Sequence, residues 1–158
     1  MDDKTAFMEL SALLTGLKKQ IIDDDEDQKL FEPIAEEYLR RLSGAFSSEL
    51  NKPSDNLLAF ENLLKAYKTL ATATPKPDID DQLLAALQEK QEFKAAEFAA
   101  RQIVNIWYFS QFHASADDET KGHFLDGGFY ERGAVWPLIR THPIGFSNQP
   151  SGFWTAQP

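Results

Sequence analysis

The sequence predicts an all-α fold: a single bundle of about five helices followed by an extended C-terminal arm. Three observations predict it. Apolar residues recur at helical spacing in five segments between about residues 5 and 112. Charge runs, proline and helix-start residues separate those segments. Beyond residue 112 helical spacing stops, and glycine and proline become frequent. At 158 residues the chain suits one domain, 1–158, with the bundle over about 5–112 and a loop and arm over about 113–158.

The first helix reads from about Thr5 to Gln20, with Phe7, Leu10, Leu14 and Leu17 on one stripe and Leu13 widening it. Asp23-Asp24-Asp25-Glu26-Asp27 follows, and five like charges in a row read as a solvated loop. The second helix spans about Phe31 to Leu50. Pro33 is placed in its first turn, where a missing N–H is harmless. Ile34, Tyr38, Leu42 and Phe46 form its buried stripe with Leu39 beside it, and Glu36–Arg40 and Glu37–Arg41 pair on the wet face. Ser54 caps a third helix that runs to about Thr72 and carries Leu57, Leu58, Leu64, Tyr67 and Leu70. Ala73 to Pro77 is a turn. Asp78 then caps a fourth helix, with Asp81 completing a capping box and Leu83, Leu84 and Leu87 facing the core. The fifth and longest helix is expected over about Glu92 to Phe112. Ala95, Ala96, Ala99 and Ala100 suit close helix packing there, ahead of bulky Ile103, Ile106, Trp107 and Phe109.

Composition removes several function classes. A net charge of −9 opposes nucleic acid and anionic membrane surfaces. Without cysteine the chain forms no disulfide, thiolate site or cysteine-held cluster. No apolar run approaches 18 residues, so no membrane insertion is expected. Met1-Asp2-Asp3-Lys4 does not resemble a secretion leader, and Arg40-Arg41 lies inside a helical pattern.

The search for chemistry returns no catalytic, cofactor-binding or metal-binding residue. There is no nucleophile elbow, no phosphate loop and no Gly-x-Gly-x-x-Gly; Gly127-Gly128 stands alone. His113 and His123 around Asp117, Asp118 and Glu119 are the best candidate group of metal-ligand types. They lie ten residues apart across a polar stretch and match no ligand spacing, so they read as an exposed charged loop. No Glu-x-x-His occurs, which rules out a di-iron bundle of that kind. Trp107, Tyr108 and Phe109 have the composition of a stacking platform, but aromatics that end an amphipathic helix read first as core.

From Gly122 to Pro158 the chain holds six of its eight glycines, four of its eight prolines and seven of its 19 aromatics. One short helix over Glu131–Ile139 is compatible with that composition. Phe129, Tyr130, Trp136, Phe146, Phe153 and Trp154 are candidate partner-interface residues, because aromatics dominate binding energy at protein interfaces. An arm of this kind covers its own bundle, lies on a second protein, or does both.

Three stretches together resemble a known family. Phe7-Met8-Glu9-Leu10-Ser11-Ala12-Leu13-Leu14-Thr15-Gly16 resembles a Leu-Ser-x-x-Leu-Thr-Gly opening. Ile103-Val104-Asn105-Ile106-Trp107-Tyr108 resembles an apolar run closing in Trp-Tyr. Ser151-Gly152-Phe153-Trp154-Thr155-Ala156-Gln157-Pro158 resembles a Pro-Gly-Tyr-Trp ending. In this order they are similar to the small subunits of bacterial FAD-dependent sugar and polyol dehydrogenases, of the sorbitol dehydrogenase small-subunit type. The resemblance implies an accessory, non-catalytic chain needed for the folding, stability or export of a large GMC-type flavoprotein. FAD would sit in that partner, and a cytochrome c subunit would accept electrons. It also implies a periplasmic complex, with a cytoplasmic one as the alternative. Two departures stand out: Phe109-Ser110 replaces the Thr-Gly usual after Trp-Tyr, and the twin-arginine leader carried by some members is not present. The competing readings are a stand-alone helical adaptor or chaperone, and a small-ligand-binding protein using the tail aromatics.

Overall fold

The computed structural model describes residues 1–18, 21–22, 25–47, 55–73, 81–114 and 123–124. Among them are six helices: α1 Asp3–Thr15, α2 Asp25–Ser47, α3 Asp55–Ala73, α4 Asp81–Gln88, α5 Gln91–Ala95 and α6 Glu97–Phe109. Two strands of two residues each, β1 Gln111–Phe112 and β2 His123–Phe124, pair antiparallel. The all-α fold class holds. Ser54, Asp78, Glu131–Ile139 and most of the arm lie outside the described residues.

Helix α1 starts earlier than its apolar stripe suggests. The Asp2 side chain accepts the Thr5 backbone N–H at 2.7 Å, capping the first turn. That bond holds the Asp2 carboxyl below its usual range. The helix ends on Gly16 in the left-handed region (φ 72°), the conformation only glycine adopts without strain. Phe7, Leu10 and Leu13 are buried as expected, while Leu14 is only partly covered.

Helix α2 corrects two expectations. It begins at Asp25, so Asp25, Glu26 and Asp27 are helical and belong to no loop. The reason is electrostatic: negative charge is favoured in the first turn of a helix by the positive end of its dipole, which offsets like-charge repulsion. Pro33 consequently stands inside the helix, not in its first turn, and removes one backbone bond from the ladder. On the wet face Glu37 takes both arginines, Arg40 and Arg41, each at 2.6 Å, whereas an Arg40 bond to Glu36 was expected. Arg40 and then Arg41 pull the Glu37 carboxyl from 4.5 down to about 2.

The expected fifth helix is two helices. The ladder breaks at Ala96 (φ −105°, ψ 18°), whose N–H is shared between the Glu92 and Phe93 carbonyls. Helix α6 stops at Phe109, so Gln111 and Phe112 are strand. In α3, Leu58 is 44% exposed, whereas Phe60 and Leu63, not singled out by the spacing, are fully buried.

One apolar cluster joins the helices. Phe7 packs edge-on against Phe60 at 6.3 Å, Leu83 and Leu87 enter from α4, and Ala99, Ile103 and Ile106 from α6. Burial on this scale, at roughly 25 cal/mol per Å² of apolar surface, is the main force holding the bundle. Ala96, Ala99 and Ala100 are buried, as close packing requires, but Ala95 is exposed. No helix among the described residues is long and apolar enough to cross a membrane.

Candidate functional site

The six candidate interface aromatics, Phe129, Tyr130, Trp136, Phe146, Phe153 and Trp154, lie outside the described residues, as do Asp117, Asp118, Glu119 and the stretch Ser151–Pro158. What the structure places is the ground they start from, where α6 runs into β1 against α1, α2 and α3.

Trp107 and Tyr108 leave α6 in different directions and do different work. Trp107 is buried and meets the Tyr38 ring edge-on, 5.0 Å between centroids and 79° between planes. Such pairs add about 0.5–1.5 kcal/mol to simple burial. The Tyr108 hydroxyl donates to the Thr15 carbonyl at 2.8 Å. That oxygen belongs to the last turn of α1, where carbonyls have no partner within the helix. Thr15 Oγ1 donates in turn to the Ser11 carbonyl at 2.6 Å and accepts the Leu17 N–H at 3.2 Å. The stretches Phe7–Gly16 and Ile103–Tyr108 therefore form one joint. Trp107 is core, and only Phe109 of the three aromatics is exposed, at 45%.

A second set of polar contacts holds the chain after α6. Ser110 takes the left-handed conformation (φ 52°) and its hydroxyl lies 3.3 Å from the Tyr38 hydroxyl. Gln102, itself buried, accepts the His113 N–H through Oε1 at 2.8 Å and the Asn105 side-chain N–H at 3.4 Å. Asn56 donates to the Ala114 carbonyl at 3.0 Å. The sequence does not announce Gln102, Asn56 or Ser110, because each finds its partner by tertiary packing. The one available signal is a glutamine beside the apolar stripe of α6.

The α1–α3 seam carries a polar pair formed by buried Tyr67 and half-buried Glu9. The Tyr67 hydroxyl donates to Glu9 Oε2 at 2.9 Å, and burial, with the Glu9 charge behind it, pushes the phenol well above its ordinary value. Nearby, a cleft of about 380 Å³ is lined by Leu39, Ser43, Phe60, Glu61, Lys65 and Lys68, among others. Its rim mixes both charge signs, and Lys68 is paired with Asp3, so it selects neither anions nor cations. A cleft of about 200 Å³ between α3 and the turn before α5 is lined by Lys65, Thr69, Leu70, Lys90 and Glu92.

Among the described residues no three metal-ligating side chains come together. The β1–β2 register pairs His123 with Phe112, the residue before His113. Comparison of the chain with family models, with curated proteins and with solved structures finds no match in any of the three.

Proposed function

We propose that this chain is the non-catalytic small subunit of a bacterial FAD-dependent sugar or polyol dehydrogenase. Its task is to bind, stabilise and escort a large flavoprotein partner in a periplasmic complex. The observation that supports this reading is the joint between α1 and α6. Two of the three stretches that resemble the small-subunit family, 93 positions apart at Thr15 and Tyr108, meet there through a hydrogen bond. Residues that depend on one another in space are expected to occur together in a sequence, which turns separately weak motifs into one structural signature. The FAD belongs to the partner, and the C-terminal aromatics supply the interface.

The test is capture. The chain, tagged and purified from its native host, is expected to bring down a large flavoprotein, and the isolated chain is expected to be colourless. Stoichiometric flavin absorbance in the isolated chain, or a native complex without a flavoprotein, overturns the reading. A native complex found only in the cytoplasm overturns the assigned compartment.

A further inference from the structure

After α6 the chain turns back on itself, and the turn is held in an unusual way. Ser110 adopts a left-handed conformation although it is not glycine, which strains the backbone there. Its N–H closes the helix on the Ile106 carbonyl at 3.0 Å, and its side chain is buried against Tyr38. Phe112 is buried in the core cluster. Gln102 then takes the His113 N–H and Asn56 takes the Ala114 carbonyl. Helices α2, α3 and α6 thus each contribute one uncharged polar side chain to residues 110–114, and β2 pairs on the strand so held.

Gln102 is the telling residue. It is 2% exposed, on the same helix as Ile103 and Ile106, which are fully buried. Glutamine is seldom fully buried, and an amide taken out of water without hydrogen bonds is costly. A leucine there would pack but leave the His113 N–H without this acceptor, which is costly where the site stays dry. Packing alone does not call for glutamine; the backbone of the exit strand does.

We propose that Gln102, assisted by Asn56 and Tyr38, is a latch that fixes residues 110–114 to the bundle. It gives the C-terminal region one defined root and thereby preorganises that region for its partner. The geometry of the latch is independent of the subunit reading; its purpose rests on that reading. A binding segment whose base is fixed loses less conformational freedom on docking, which strengthens binding without adding a contact.

The experiment uses the full chain and Gln102→Met, which keeps length and apolar volume and removes the acceptor. Amide hydrogen exchange is followed residue by residue, alongside affinity for the co-purified flavoprotein. The His113 amide is expected to exchange at least about tenfold faster, with Ile103 and Ile106 within about twofold of the parent chain. Affinity is expected to fall at least about tenfold. Unchanged protection at His113, or equal acceleration along the whole of α6, overturns the latch. Faster exchange at His113 with unchanged affinity overturns its role in preorganisation. If the parent chain captures no flavoprotein, the subunit reading and the preorganising purpose fail together, while exchange at His113 still decides the latch. Should Gln102→Met not fold, Asn56→Ala, at a half-buried site on another helix, is read by amide exchange over residues 110–114 together with the same affinity, and no change in either overturns the latch.

Discussion

The seam between α1 and α3 is closed twice, by adjacent residues of α3. Tyr67, fully buried, donates its hydroxyl to Glu9 at 2.9 Å. Lys68, one position on, forms an ion pair with Asp3, whose side chain is 73% exposed. Both contacts join the same helices, and the outer one carries full opposite charges. Yet water screens the outer pair and competes for both partners, whereas the inner hydroxyl sits on a fully buried tyrosine and is reached by water less easily. Depth, not formal charge, sets what each contact contributes. The same rule separates the neutral contacts around residues 110–114 from the Lys4–Glu32 pair that joins α1 to α2 at the surface.

Substitutions along this gradient of depth are expected to differ in effect by their burial. The largest effect is expected from Trp107→Ala, which empties the space against Tyr38. A loss of about 3–5 kcal/mol in chemical denaturation is expected, with an unchanged denaturant slope. A loss below about 1 kcal/mol would mean that the α2–α6 contact is loose. Tyr67→Phe comes next, because it leaves the Glu9 carboxylate without its donor; about 1.5–3 kcal/mol is expected. Alkaline titration gives the same contact a second test. A phenol whose ionisation is raised in the folded chain stabilises the fold fully below its ordinary value of 10.0 and loses that contribution as pH climbs beyond it. The parent chain is therefore expected to lose stability above about pH 10 more steeply than Tyr67→Phe, as seen in its thermal midpoint.

At the outer end of the seam, Lys68→Ala is expected to shift stability by less than about 1 kcal/mol, and added salt to erase the shift. An effect as large as that of Tyr67→Phe would overturn the comparison. Smallest of all is the acid limb. Glu37, held near 2 by Arg40 and Arg41, stabilises the fold fully above its ordinary 4.5 and ceases to as pH falls toward 2. Glu37→Gln is expected to flatten the stability curve between those values by less than about 1 kcal/mol, because the arginines are largely exposed.

How much of this was legible in the sequence follows the same gradient. Stripes buried in the core were plain: Phe7, Leu10 and Leu13 in α1, Ile34, Tyr38 and Leu42 in α2, and Ile103 and Ile106 in α6 are all covered. Helix ends were harder, because they depend on short-range electrostatics and hydrogen bonds. The acidic run read as repulsion where Asp25 to Asp27 begin a helix, and Asp2 was not read as a cap. The break at Ala96 has neither glycine nor proline to mark it. Least legible were Gln102, Asn56 and Tyr38 as partners of residues 110–114, since their separations of 11, 58 and 72 positions follow no local rule. The aromatics from Phe129 to Trp154 were conspicuous in sequence, but composition gives a partner surface no geometry.

The joint of Tyr108 with Thr15 also sets a timetable for the newborn chain. Helix α1 is made before α6, yet the residue that caps its last turn follows 93 positions later. At about 5–20 residues per second of synthesis, the end of α1 waits roughly 5–20 s for that partner. Through this interval Phe7, Leu10 and Leu13 have only part of their eventual cover, so the nascent chain is most open to chaperones, or to misassembly, before α6 has emerged.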